Sequence, residues 1–262
     1  MITVIFGDCG SGKTVLLTHF IRQRAFDYER NCSMRYEIMR RIQGGYDLQI
    51  PQYSVATNYD VVCRKAGYSP RPSIVINPYR LGFYNEDVNT HFLPPYTTIG
   101  IQEGQKYFNS RMFKFYPTWQ SRFFEAHRHN HFDVFIDVQR PNLIDVNIRE
   151  LSNFIEIVGF EQTKNGLRWL VRQIANSFLL DLYNASGRRD KSLYTECVIT
   201  ADYDVFKLYD SRNLKPRFYD GRDGQAFDVP NAQLLCGNKD DFNYYNKLYG
   251  EELPDKFYKK QV

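Results

Sequence analysis

The first fourteen residues constrain this chain more than any other stretch. Ile2-Thr3-Val4-Ile5-Phe6 is β-branched and apolar and stops at a glycine, the pattern of a strand buried on both faces in a parallel sheet. Gly7-Asp8-Cys9-Gly10-Ser11-Gly12-Lys13-Thr14 follows, and then Val15, Leu16, Leu17, Phe20 and Ile21 form a helical stripe. A buried strand, an octapeptide of the form GxxxxGK[ST] and an amphipathic helix together make a phosphate-binding loop. Gly7, Gly10 and Gly12 let the backbone approach an anion with no Cβ in the way. Successive amides turn inward as an anion nest, at the positive end of the helix that starts near Lys13. Lys13 would neutralise the β- and γ-phosphates of a nucleotide, and the Thr14 hydroxyl would bind Mg²⁺. The cradle is read as Gly7 through Val15.

Composition bounds the class. At 262 residues the chain is one large domain, or one domain with a small annex. Hydrophobic residues at 43% and charged residues at 24% exclude disorder. The balance of 34 basic against 30 acidic residues leaves a net charge of +4, too little to mark a nucleic-acid binder by charge alone. The longest stretch without Asp, Glu, Lys or Arg, residues 88–102, contains Thr, Asn, Gln, His and Pro and does not read as a membrane span. Ile2–Phe6 is too short for a signal peptide, so a soluble, cytoplasmic chain is expected. Five scattered cysteines (Cys9, Cys32, Cys63, Cys197, Cys236) with no CxxC pair indicate neither a disulfide framework nor a zinc ribbon. Aromatic content is 16%, with 20 Tyr beside 20 Phe; core filling is the plain reading, interfaces or base stacking the other.

Further strands are expected at Ser54–Val62, Ser73–Tyr79, Tyr96–Ile101, Val134–Val138 and Phe154–Phe160. Helical patterns run from Val15 to Arg41 (one helix or two, ending by Gly44-Gly45), from Thr118 to His129 after Pro117, and from Pro141 to Leu151. This alternation implies an α/β domain, a mainly parallel sheet with helices on both faces. Beyond residue 160 the character changes. Asn165-Gly166 signals a hairpin, Leu167–Ile174 and Cys197–Leu208 look like strands, and Gly187-Arg188-Arg189-Asp190 looks like a loop. The division is a core over residues 1–160, a β-rich extension of the same domain over 161–212, and an irregular solvated tail over 213–262.

A nucleotide cradle does not specify a reaction. Hydrolysis needs an acid at the end of a neighbouring strand and a group that senses the γ-phosphate. After Tyr96–Ile101 comes Gln102-Glu103, where Asp-Glu is usual. Glu103 can orient an attacking water as general base, whereas Gln102 could only hydrogen-bond a metal-bound water. Gln139, at the end of Val134–Val138, is placed to contact a γ-phosphate. Asp137 shares its strand face and is a rival acid.

The order of these parts resembles a known family. GDCGSGKT, IQEGQKYF, HRHNHFDVFIDVQRPNLIDVNIRE and VFKLYDSR look like the zonula occludens toxin-like (Zot) ATPases, filamentous-phage morphogenesis proteins in a branch of the FtsK/HerA-type translocases. The resemblance covers roughly residues 1–212. It implies a RecA-like P-loop NTPase fold of the additional-strand, catalytic-glutamate type, and ATP hydrolysis with Mg²⁺ in a homo-oligomeric ring, a hexamer being one option. It also implies extrusion of phage single-stranded DNA alongside other phage assembly or coat proteins. By position, Lys13 and Thr14 become the phosphate and metal residues, Glu103 the catalytic acid and Gln139 the sensor. A ring of this kind needs an arginine that reaches a neighbour's γ-phosphate; of Arg122, Arg128, Arg140 and Arg149, the favoured pair is Arg128 and Arg149. Family members usually carry Asp-Glu where this chain has Gln102-Glu103. They also continue into a transmembrane helix and an extracytoplasmic domain. Neither is read here, which leaves a cytoplasmic-only member, a split subunit or part of a longer protein, meeting the membrane only through partners or the C-terminal tail.

His127, His129 and His131 could ligate a metal from one strand face, but a basic helix end is the plainer reading. The runs Arg188-Arg189-Asp190-Lys191 and Lys256–Lys260, the latter with Phe257 and Tyr258, could touch DNA or lipid headgroups, or simply be solvated. Cys9 is read as a small filler in the cradle. Two rivals to a motor remain. One is a low-turnover nucleotide-binding scaffold, motivated by Gln102. The other is a P-loop kinase, for which Arg188–Lys191 is the only lid candidate.

Overall fold

The computed structural model describes residues 1–43, 55–68, 70–76, 78, 81, 84–85, 90–91, 93, 95–111 and 118–209. The elements, in chain order, are β1 (Ile2–Phe6), α1 (Lys13–Ala25), α2 (Tyr28–Gln43), β2 (Val55–Thr57), β3 (Val62–Cys63), β4 (Arg71–Pro72), β5 (Ile74–Val75), β6 (Tyr84–Asn85), β7 (Thr90–His91), β8 (Thr98–Ile101), α3 (Thr118–Glu125), β9 (Asp133–Val138), α4 (Val146–Glu150), β10 (Ser152–Thr163), β11 (Gly166–Ile174), α5 (Ser177–Ala185) and β12 (Thr195–Ala201).

Among the described residues, eight strands form one sheet in the order β12-β11-β10-β1-β9-β8-β2-β5. The run from β10 to β5 is parallel, while β10, β11 and β12 form an antiparallel meander. β1 and β9 lie in the middle and are buried at every residue, which is why ITVIF and DVFIDV are nearly continuous apolar runs. α1 covers one face, packing Leu16, Leu17 and Ile21 with Ile5, Phe135 and Ile155. The other face carries Val4, Phe6, Ile136, Val138 and Phe154 against residues of α3, α4 and α5, among them Phe123, Phe124, Ile148, Leu180 and Tyr183. Phe123, Phe124, Phe132 and Phe108 contact one another at ring-centroid distances of 5.3 Å, so much of the Phe content fills the core. Among the described residues no helix is long and apolar enough to cross a membrane.

Several elements are shorter than their patterns. Of the described residues in Ser54–Val62 and Ser73–Tyr79, the three of β2 and the two of β5 join the main sheet. The charged helical stretch breaks at Phe26-Asp27, where the Asp27 carboxylate accepts the Arg30 N–H at 3.1 Å and α2 starts anew. The Thr118–His129 helix gives way to a 3₁₀ turn at Ala126–Arg128. Pro141–Leu151 is a 3₁₀ turn (Pro141–Leu143) followed by α4, whose N-cap Asp145 accepts the Asn147 N–H at 2.9 Å. Cys197–Leu208 is a strand only to Ala201; Arg22 pairs with Asp202 at 2.6 Å and the chain enters a 3₁₀ turn at Tyr203–Lys207.

The β10–β11 hairpin forms where Asn165-Gly166 predicts it, and β10 runs through residue 160 without a break. Its register shifts between Ile157 and Gly159. Beyond that shift the hairpin meets the start of α1. Trp169 donates its indole N–H to the Gly12 carbonyl at 3.3 Å and stacks on both Phe160 and His19. Gly44-Gly45, Pro117, Cys236 and the 213–262 tail, with its Lys256–Lys260 patch, lie outside the described residues.

Candidate nucleotide site

The octapeptide forms an open turn at the C-terminal end of β1. Gly10 and Gly12 have φ of 79° and 77°, left-handed values that the missing Cβ permits. At Gly12 a Cβ would also come within 2.9 Å of the Trp169 Nε1 and 3.1 Å of the Phe160 ring. The Ser11 N–H closes the turn on the Asp8 carbonyl at 3.2 Å, and Leu16 N–H opens α1 on the Gly12 carbonyl at 2.9 Å. The Lys13 ammonium spans the loop, donating to the carbonyls of Gly7 (3.0 Å) and Asp8 (2.7 Å). The Ser11 hydroxyl oxygen is buried and has no hydrogen-bond partner among the described residues, an unmet polar atom inside the turn. Asp8 and Cys9 are exposed, so Cys9 sits on the rim and fills no gap. The Val15 side chain is buried in the core beneath α1.

Thr14 is the hinge of the site. Its hydroxyl donates to Asp137 Oδ2 at 2.9 Å, and the other oxygen of the same carboxylate accepts the Glu103 N–H at 2.6 Å. Asp137 is only 2% exposed, and burial pushes its carboxyl up to about 7. The Thr14 hydrogen bond and the nearby ammonium groups of Lys13 and Lys106 pull it part of the way back. None of the ion pairs among the described residues includes Asp137. A hydroxyl and a buried carboxylate short of a counter-charge fit a small divalent cation that takes its remaining ligands from phosphate and water. Among the described residues no group of three His, Cys, Asp or Glu gathers.

Glu103 follows β8 in a left-handed conformation, φ 53°, unusual for a residue with a side chain. Its carboxylate is 41% exposed and is ion-paired with Lys106. Gln102 is held by its backbone: Asn58 Oδ1 accepts its N–H at 2.7 Å and Asn58 Nδ2 donates to its carbonyl at 3.0 Å. Gly104 is fully packed against β9, and a Cβ there would fall 2.2 Å from Ile136 Cγ2. Gln139 is exposed just past the end of β9, next to exposed Arg140.

The site thus brings Lys13, Thr14, Glu103 and Asp137 together and leaves Gln139 at its margin. Arg128 and Arg149 precede the N-terminal ends of β9 and β10, at the opposite end of the strands from the cradle. Arg149 is half-buried, its Nε without a partner among the described residues. His127 is buried with Nδ1 on the Phe124 carbonyl, and His131 stacks on Tyr96 at 4.4 Å, so these rings serve separate structural contacts. Arg188 pairs with buried Glu156 at 2.7 Å, which ties down the loop considered as a kinase lid. Sequence reasoning did not single out Asn58, Gly104 or Trp169. A glycine directly after Gln102-Glu103 is the one local signal it passed over.

The cradle strand β1 is separated from the acid-bearing strand β8 by β9, and β10 flanks β1 on the other side. With the phosphate loop after β1 and a glutamate after β8, the fold is that of an additional-strand P-loop NTPase. No protein-family model and no curated protein matches the chain. Among solved structures it is similar to the N-terminal domain of zonular occludens toxin from Neisseria meningitidis, with 19% identity over 80% of this chain and 98% of that one, at a TM-score of 0.45. It is also similar to the genome packaging NTPase B204 from Sulfolobus turreted icosahedral virus 2. The B204 complex with ATP-gammaS gives 12% identity, coverage of 76% and 91%, and a TM-score of 0.35; the complex with AMPPCP gives 12%, 77% and 97%, and 0.34.

Proposed function

We propose that the chain is a Mg²⁺-dependent ATPase in which Asp137, rather than Gln102, is the acid on the metal side. The observation that carries this reading is the single buried carboxylate that bonds both the Thr14 hydroxyl and the Glu103 N–H. The cradle amides and the Lys13 ammonium hold the β- and γ-phosphates and offset the charge that builds up as the bond to the leaving phosphate loosens. Thr14 and Asp137 hold Mg²⁺, which when bound neutralises phosphate charge. Glu103, released from Lys106, takes the proton of the attacking water. Gln139, exposed just past the end of β9, would serve as the γ-phosphate sensor.

At a finer level we read the chain as the cytoplasmic motor of a homo-oligomeric ring that moves phage single-stranded DNA during filamentous-phage assembly, with coat or assembly proteins as partners. The order of motifs shared with the Zot-type ATPases supports this. A low-turnover scaffold is the second reading, favoured by the Glu103–Lys106 ion pair, which occupies the carboxylate that hydrolysis needs. Steady-state ATP hydrolysis, with and without single-stranded DNA, separates the two. The motor requires Glu103→Gln to slow turnover by about 100-fold or more while ATP affinity persists; equal rates for variant and wild type would reject it.

A further inference from the structure

We propose that Asn58 is a positioning residue for Glu103, acting through the main chain of Gln102; the inference rests on the ATPase reading above. The parallel ladder between β2 and β8 ends at the Thr57–Gly100 pair. Past that pair the strands would part, yet the contact continues for one more step. The Asn58 N–H donates to the Gly100 carbonyl at 3.3 Å, and the Asn58 side chain then grips both backbone groups of Gln102, at 2.7 and 3.0 Å. A carboxamide presents an acceptor and a donor side by side, so it can imitate the next rung of the ladder. Aspartate offers two acceptors, and alanine offers nothing.

The consequence falls on the next residue. With Gln102 fixed at N–H and carbonyl, Glu103 departs from an anchored peptide, turns left-handed and gives its own N–H to Asp137. Gln102 therefore contributes through its peptide, whatever its side chain does. The anchor itself is braced. Thr57 Oγ1 donates to the Tyr59 carbonyl and meets Ser73 Oγ, each at 2.6 Å. The Tyr59 hydroxyl meets Thr18 Oγ1 at 3.0 Å, and Thr18 donates to the Thr14 carbonyl at 2.7 Å. The Asn58-Tyr59 step thus touches the loop that carries the general base and the helical turn that carries Thr14, and fixes their separation.

The test uses Asn58→Asp, which keeps the shape but sets an acceptor against the Gln102 carbonyl, and Asn58→Ala, which removes both bonds without adding charge; should the first not fold, the second carries the test. Each is expected to lower kcat for ATP by about 10- to 100-fold, since misplacing a catalytic group by about 1 Å costs that much. Affinity for a non-hydrolysable ATP analogue should stay within about threefold of wild type, and Asn58→Ala combined with Glu103→Gln should be no slower than Glu103→Gln alone. An unimpaired kcat, an equal loss of analogue affinity, or losses that multiply in the double variant would overturn the inference. A wild type no faster than Glu103→Gln would remove the ATPase reading and this inference with it. A Glu103-dependent wild type beside an unimpaired Asn58→Ala would remove the inference alone.

Discussion

A carboxyl group lifted to about 7 by burial has a measurable thermodynamic signature. In an unfolded chain the same group titrates near pH ~4. Between those values native Asp137 keeps a proton that the unfolded chain has released, so its contribution to stability falls as pH rises from about 4 to about 7 and is level above that. At pH 8 in the absence of metal, the buried anion costs the fold a few kcal/mol, at ~1.4 kcal/mol for each tenfold change in the proton equilibrium. Asp137→Asn stays neutral and offers the same donor and acceptor as a protonated carboxyl. Its metal-free melting temperature should exceed that of wild type by several degrees at pH 8, with the gap closing toward pH 5. MgATP should raise the wild-type melting temperature and raise the variant's less, and ATP turnover by the variant should fall about 100-fold or more. Parallel melting profiles for the two proteins across that pH range would contradict the assignment of Asp137.

Among the elements, the loop after β8 and the β10–β11 hairpin carry the most specific demands. Gly104 sits where a methyl group would overlap Ile136, a fully buried residue of β9, and Gly104 leads directly out of Glu103. Gly104→Ala should cost about 1–3 kcal/mol through overpacking, or about 2–4 °C of melting temperature per kcal/mol in a domain of this size, and should slow hydrolysis by displacing the glutamate. A variant that melts and turns over like wild type would show that the loop has slack. The hairpin reaches the cradle through Trp169. Replacing Trp169 by Phe keeps an aromatic ring against Phe160 but deletes the donor to the Gly12 carbonyl. Because that carbonyl also accepts the Leu16 N–H, the penalty in stability should be modest, about 1 kcal/mol or somewhat more. Nucleotide titration should show the larger effect, a severalfold weaker affinity from a loosened Gly12; unchanged affinity would confine Trp169 to the core.

For the whole molecule, the parallel sheet sets one end against the other. Lys13, Thr14, Glu103 and Asp137 gather at the C-terminal ends of β1, β8 and β9, whereas Arg128 and Arg149 precede the N-terminal ends of β9 and β10. If either arginine serves hydrolysis, it serves a neighbouring copy. Mixing Arg149→Ala subunits with Glu103→Gln subunits should then restore turnover that neither shows alone, and the same holds for Arg128→Ala; absence of recovery with both would remove them as fingers. The contrast between the cradle and the acid explains what was legible beforehand. Gly7 to Thr14 are contiguous, and their loop is shaped by local backbone freedom and the start of a helix, so the turn and the helix that follows it could be read directly, as could the buried strands β1 and β9. Residues 14, 58, 103 and 137 meet only because β9 lies between β1 and β8 in one register and β2 closes on β8 in another. Sequence alone offered Asp137 as one acid among rivals and gave no sign of Asn58. Strand order and burial, which depend on contacts between residues far apart in the chain, decided which carboxylate faces Thr14 and what holds the glutamate in place.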